Sequence, residues 1–296
     1  MLRTITLCSG KGGVGKTLLA TSLARIIKRE EDCNVLLVDL DVPARGLTLL
    51  AFQNKYALDR VPVSLIDYLS AKSTGEPGLF AELRKSLPVN GEAETQPSLY
   101  QRLEKVFILP SSTESERPDW TQLARLEIDH AVAKLGQLQA FTLESLNVGY
   151  LIFDTQAGLG SLSLAAATLS DLNLIVLEED DISWRTALLM FLEIADLNKR
   201  WQKRSKSYFL VNKVNSGLLE VEGKLKAFSF LPPLPYDAWM QRLFAHATST
   251  VLEREFESSD FFRQVHSRLW KELAHILDVA RQSTKSGSSL LSWWRT

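Results

Sequence analysis

Cys8-Ser9-Gly10-Lys11-Gly12-Gly13-Val14-Gly15-Lys16-Thr17 is the stretch that decides how this chain folds. From Gly10 it reads G-x-x-x-x-G-K-T, the spacing of a phosphate-binding loop. It follows the apolar run Ile5-Thr6-Leu7-Cys8 and opens into Leu19, Ala20, Leu23, Ala24, Ile26 and Ile27 at helix spacing, the strand-loop-helix setting the motif requires. Lacking a Cβ, Gly10, Gly12, Gly13 and Gly15 let the backbone turn through positive φ and aim N–H groups at a phosphate, with Val14 and Leu18 offering only their backbone to the same cradle. The positive end of the following helix adds to that anion site. Lys16 is expected to reach the β- and γ-phosphates of a nucleotide, and the Thr17 hydroxyl to bind Mg²⁺.

Beyond the loop, composition sets bounds. The 296 residues and 33.2 kDa suit one large α/β domain or two small ones, and 45% hydrophobic with 23% charged residues is ordinary for a globular chain. A net charge of -1 gives no global drive toward nucleic acid or an anionic membrane, so any such binding needs a local patch. Cys8 and Cys33 are far apart and form no C-x-x-C, which argues against a zinc or iron–sulfur site within one chain and for a reducing compartment. A strand starting near Met1 leaves no room for a signal peptide, and no apolar run approaches the ~18 residues of a membrane span. A cytoplasmic protein is expected.

Two further strands end in acids. Asn34-Val35-Leu36-Leu37-Val38 leads into Asp39-Leu40-Asp41, and Tyr150-Leu151-Ile152-Phe153 leads into Asp154. Continuous apolar runs suit strands buried on both faces of a parallel sheet, whose carboxyl ends carry ligand sites. Asp154 stands where a strand-end acid would hold a Mg²⁺ water. Val106-Phe107-Ile108-Leu109, Leu172 to Leu177 and Tyr208 to Val211 read as more strands, and Ser64 to Leu69 and about Ser183 to Leu197 as helices, the latter capped by Asp181 or Ser183. An amphipathic pattern runs from Trp120 to about Leu138, and a helical stretch from Phe261 to Val279 closes the fold. The acidic run Glu178-Glu179-Asp180-Asp181 reads as a solvated loop and helix cap rather than a second metal site.

The string KGGVGKT, with Lys11 before the paired glycines, resembles the MinD/ParA family of deviant Walker ATPases. The resemblance implies a P-loop NTPase fold: a doubly wound, mostly parallel α/β sheet with helices on both faces, spanning 1–284 as one domain before a flexible tail, 285–296. It implies ATP and Mg²⁺ as cofactors and a homodimer with ATP, in which Lys11 reaches the partner's phosphates. Asp41 would orient the attacking water, Lys16 would neutralise developing charge, and Thr17 with Asp154 would hold the metal. Asp39 would assist the metal shell or hold its loop. Thr155-Gln156-Ala157-Gly158 is similar to the family's second switch, where the Gly158 N–H would sense the γ-phosphate, although Gln156 replaces the usual proline. Asn212 becomes the base reader. Phe228 to Leu231 resembles the family's last strand, and Pro235-Tyr236-Asp237 its turn beside the base. Leu18 replaces a hydroxyl residue usual in the family.

What the family does implies a slow, partner-stimulated ATPase that positions or partitions DNA, membrane-associated machinery or a protein assembly. A non-hydrolysing nucleotide-binding scaffold and a metabolic ATP-dependent ligase of the same fold are the alternatives. Residues 71–117 would carry partner specificity. Lys199-Arg200-Trp201-Gln202-Lys203-Arg204-Ser205-Lys206 could bind DNA phosphates non-specifically, and Leu290-Leu291-Ser292-Trp293-Trp294-Arg295 could target a membrane interface. The protein would then act from the cytoplasm, on the inner face of the membrane or on the nucleoid.

Overall fold

In the computed structural model the described residues are 3–52, 63–70, 106–112, 126–145, 148–215, 228–246 and 256–278. Six strands form one sheet: β1 (Arg3–Cys8), β2 (Asn34–Leu40), β3 (Val106–Leu109), β4 (Val148–Thr155), β5 (Leu172–Leu177) and β6 (Lys206–Val211). Their order is β3-β2-β4-β1-β5-β6, and every pairing is parallel. The expected doubly wound α/β sheet is present.

Parallel pairing follows from the helices between the strands, α1 (Lys16–Glu31), α2 (Gly46–Ala51), α3 (Leu65–Ser70), α4 (Ile128–Ser145), α5 (Ser161–Leu169) and α6 (Asp181–Arg200); α7 (Ala238–His246) and α8 (Asp260–Gln264) follow the last strand. Alternate residues of each strand feed opposite faces. Ile5, Leu7, Val35, Leu37, Ile152 and Leu174 pack under α1 and the C-terminal helices, while Leu36, Val38, Leu151 and Phe153 face the other side. Cys8, Ile175, Leu177, Phe209 and Val211 form a third cluster against α6. Both faces are covered, so the strands read as unbroken apolar runs.

Four details differ from the sequence reading. α6 is capped by Asp180, whose Oδ1 accepts from the Ser183 N–H at 2.9 Å, rather than by Asp181 or Ser183. Phe228 to Leu231 makes one parallel bridge, Phe209 to Phe230, and no ladder, because Pro232, Pro233 and Pro235 supply no N–H to extend it. The C-terminal helix is not uniform: after α8 comes a π-helical turn, Val265–Trp270, before helix resumes to residue 278. The pattern placed at Trp120 to Leu138 is helical from Ile128 and runs on to Ser145, while residues 113–125 lie outside the described residues. Most of the specificity segment 71–117 and the tail 285–296 also lie outside them.

Candidate phosphate and base site

Because all strands run one way, the loops after β1, β2, β4, β5 and β6 meet at one end of the sheet. α1 begins there without a side-chain cap. Its N-cap is Gly15 at φ 94°, and Gly13 also lies at positive φ, 78°. The first-turn N–H groups are therefore left to a ligand. Gly10 and Gly12 do not share that conformation, contrary to the expectation that all four glycines turn through positive φ. Gly10 answers a different need: a Cβ there would lie 2.3 Å from the Thr186 Cβ and 2.6 Å from its backbone, so α6 presses directly on the loop. Gly12 meets nothing within 4 Å.

Lys16 is buried, and its Nζ donates to the Ser9 Oγ at 2.7 Å. Burial lowers its pKa, opposed by the charges of Asp154 and Asp41. Asp154 is 1% exposed and neither carboxylate oxygen has a hydrogen-bond partner. Burial, and then the charge of Asp39 beside it in register, pushes its pKa up to about 7, against the nearby Thr17 hydroxyl, which is not placed to make a full hydrogen bond, and the charge of Lys16. Asp39 is differently placed. Its oxygens accept from the Thr48 N–H at 2.8 Å, the Thr48 hydroxyl at 2.7 Å and the Asp41 N–H at 3.0 Å, which fastens the loop between β2 and α2. Burial raises its pKa to about 6, with those three donors opposing. Asp41 reaches the cavity with Oδ1 accepting from the Ala44 N–H, and burial raises its pKa as well.

The cavity, about 380 Å³, extends from the loop toward the turn at Pro235, Tyr236 and Asp237. Asn212 Nδ2 donates to the Val14 carbonyl at 2.8 Å, and its buried Oδ1 is unpartnered. That amide lies 2.5 Å from where a Cβ on Gly15 would sit, which is why the loop passes so near β6. Leu18, Pro235 and Asp237 line the same cavity. The Asp237 carboxylate is engaged on both sides, accepting from the Met240 N–H at 2.9 Å and the Phe261 N–H at 3.1 Å. Gly158, at φ 95°, donates its N–H to the Ser9 carbonyl at 2.8 Å, so the turn after β4 is pinned to the loop.

Lys11 lies in cis on acids that the sequence reading left to solvent. Its Nζ is 2.8 Å from Asp180 and 3.1 Å from Glu178, and these hydrogen bonds raise its pKa. Glu178 also takes Lys213 at 2.7 Å, and Lys213 donates to the Gly13 carbonyl. The run after β5 is thus a cation-binding edge of the site. Ser9, Lys213, Met240 and Phe261 were not anticipated as site residues. Only Lys213 had a sequence signal, as a cation directly after Asn212 at a strand end. Among the described residues no group of three His, Cys, Asp or Glu gathers, so a metal would depend on one carboxylate, a hydroxyl and ligand oxygens.

Residues 5–246 match the CobQ/CobB/MinD/ParA nucleotide binding domain. The chain belongs to this family. A septum site-determining protein MinD of Buchnera aphidicola subsp. Baizongia pistaciae is 26% identical over 222 residues, 73% of this chain and 68% of that protein. A putative plasmid partition protein from Borrelia burgdorferi B31, solved bound to AMPPNP, superposes with TM-score 0.62 at 17% identity over 96% of this chain and 100% of that one. The cobyrinic acid a,c-diamide synthase of Mycobacterium smegmatis, with an ATP analogue and magnesium, gives 0.58 at 21% identity over 88% and 98%. At such identities these two structures establish the fold alone. In this CobQ/CobB/MinD/ParA chain the cavity wall includes Phe261, beyond the matched residues.

Proposed function

We propose that this chain is a magnesium-dependent ATPase switch that closes as a dimer around ATP and positions or partitions a cargo. One observation carries the reading: Asp154, a buried carboxylate with two unpartnered oxygens, sits at a strand end beside Thr17 and Lys16. An anion sealed from water without donors is costly, and a hydrated cation offsets that cost. Thr17 and Asp154 fit a Mg²⁺ held mainly by phosphate oxygens and water, whereas Asp39, whose two oxygens already accept from three donors, fits a loop anchor. When bound, the metal supplies charge neutralisation at the phosphates. Lys16 exchanges Ser9 for the β- and γ-phosphates, and the N–H groups of Gly13 to Leu18 line the same phosphates. Asp41 accepts a hydrogen bond from the attacking water and aims it. Asn212 Oδ1 accepts from an exocyclic amine of the base. Lys11 leaves Glu178 and Asp180 for the phosphates of a second copy. The nucleotide analogues in the two solved neighbours, and the magnesium in the second, support this ligand pair.

The cargo belongs to the class of DNA, membrane-associated machinery or a protein assembly, with a protein activator of slow hydrolysis, acting from the cytoplasm. Among the described residues no helix is long and apolar enough to cross a membrane. The basic run at 199–206 joins the end of α6 to the start of β6, at the opposite end of the sheet from the site, so DNA held there would leave the nucleotide free to exchange. The deciding experiment is sedimentation of Asp41→Ala at low protein concentration with ATP and Mg²⁺, followed by challenge with lipid vesicles and with duplex DNA. An ATP-dependent dimer that Lys11→Ala abolishes is expected. Indifference to ATP refutes the switch.

A further inference from the structure

The outer face of α6 is apolar where a solvent-facing helix is ordinarily polar. Ile182 is 67% exposed, Leu189 54%, Leu192 53% and Leu188 38%. Ile182, Leu189 and Leu192 fall on one face over three turns, while Ala187, Met190, Ile194 and Leu197 already fill the side turned to the sheet. Scattered exposed leucines are normal, but a contiguous strip on one helix marks a contact surface.

The charges around the strip indicate what covers it. From N- to C-terminus the solvent side carries Asp181, Arg185, Glu193, Asp196, Lys199 and Arg200. Arg185 and Glu193 lie one turn to either side of Leu189, four residues each way, and among the described residues neither makes an ion pair within the chain. Laid antiparallel against a second α6 about a two-fold through Leu189, Arg185 of each copy falls level with Glu193 and near Asp196 of the other, and Asp181 faces Lys199 and Arg200. A parallel arrangement sets Arg185 beside Arg185 and Glu193 beside Glu193. The pattern is self-complementary only in the antiparallel sense, and an isologous contact has that property.

We propose that α6 is a homotypic docking surface, occupied by the α6 of a second copy antiparallel across a two-fold at Leu189. This goes beyond the ATP-bound dimer, because it requires no nucleotide and lies along the helix rather than across the phosphate loop. One helix per copy is a small interface, so association in the micromolar range is expected. Since Thr186 presses on Gly10, the helix that docks also abuts the loop.

Sedimentation velocity of the full chain without nucleotide tests this. A concentration-dependent dimer is expected, lost in Leu189→Glu. Arg185→Glu alone weakens it roughly tenfold, and adding Glu193→Arg restores it, which a fold defect would not permit. Leu189→Cys gives a disulfide-linked dimer under mild oxidation, whereas Leu143→Cys on α4, equally exposed at 54%, does not. A nucleotide-free chain that stays monomeric throughout the micromolar range, with no Leu189→Cys cross-link, overturns the proposal. So does a dimer that forms only with ATP and vanishes in Lys11→Ala. Neither outcome disturbs the ATPase reading, which is tested by ATP binding itself.

Discussion

Asp154 concentrates the cost of keeping this site ready. Its folded-state pKa, about 7, lies above the unfolded carboxylate value, so the folded chain binds the proton more tightly. The contribution of Asp154 in the ligand-free protein is therefore fully present below pH ~4, is lost as pH climbs through 7, and is level above that. Asp154→Asn is expected to make that slope shallower, with the residue due to Asp39 remaining. It raises Tm at neutral pH while abolishing magnesium dependence of ATP binding; a lower Tm at pH 7.5 would count against the unpartnered carboxylate. Glycines of the loop divide just as sharply. Gly10→Ala should cost about 1–3 kcal/mol, because its Cβ meets the Thr186 backbone, a part of α6 that cannot rotate away. Gly12→Ala should leave denaturant unfolding unchanged. The motif shows all four glycines alike in sequence. What separates them is a contact with a helix some 170 residues later, which no local spacing encodes. For the same reason the motif singles out Lys11 but not its cis partners: Glu178 and Asp180 become its neighbours only once β5 lies beside β1.

At the level of elements, long buried strands were legible because both faces of a parallel sheet demand apolar residues, and an unbroken run such as Val35 to Val38 has no other reading. Edges and closures were not. The prolines at 232, 233 and 235 cut the last pairing to single bridges, and the π turn at Val265–Trp270 arises where Leu269 and Trp270 pack under α1, a tertiary cause. Asp237 joins two of these less legible pieces, since one carboxylate caps α7 and holds the N–H of Phe261 at the start of α8. Asp237→Ala is expected to cost about 1 kcal/mol of stability as a lost cap. It should also weaken ATP while leaving inorganic tripolyphosphate unaffected, because only the base side loses its wall. Calorimetric titration with both ligands separates these effects, and equal weakening of both would place Asp237 at the phosphates instead.

For the molecule as a whole, the cis pairs of Lys11 would oppose the ATP-bound dimer proposed above, since a lysine held by its own Glu178 and Asp180 is withheld from a neighbour. The double variant Glu178→Gln with Asp180→Asn is expected to dimerise at lower ATP concentration, read by light scattering across an ATP titration. No shift would mean that the lysine pays nothing to leave. One more feature bears on how such a protein works in a cell. Arg3, at the start of the first strand, meets Asp278, the last described residue, at 3.4 Å, on the pole of the sheet away from the phosphate loop. A tether attached at either place would hold the molecule by its base, with the phosphate loop turned outward toward whatever arrives from solution.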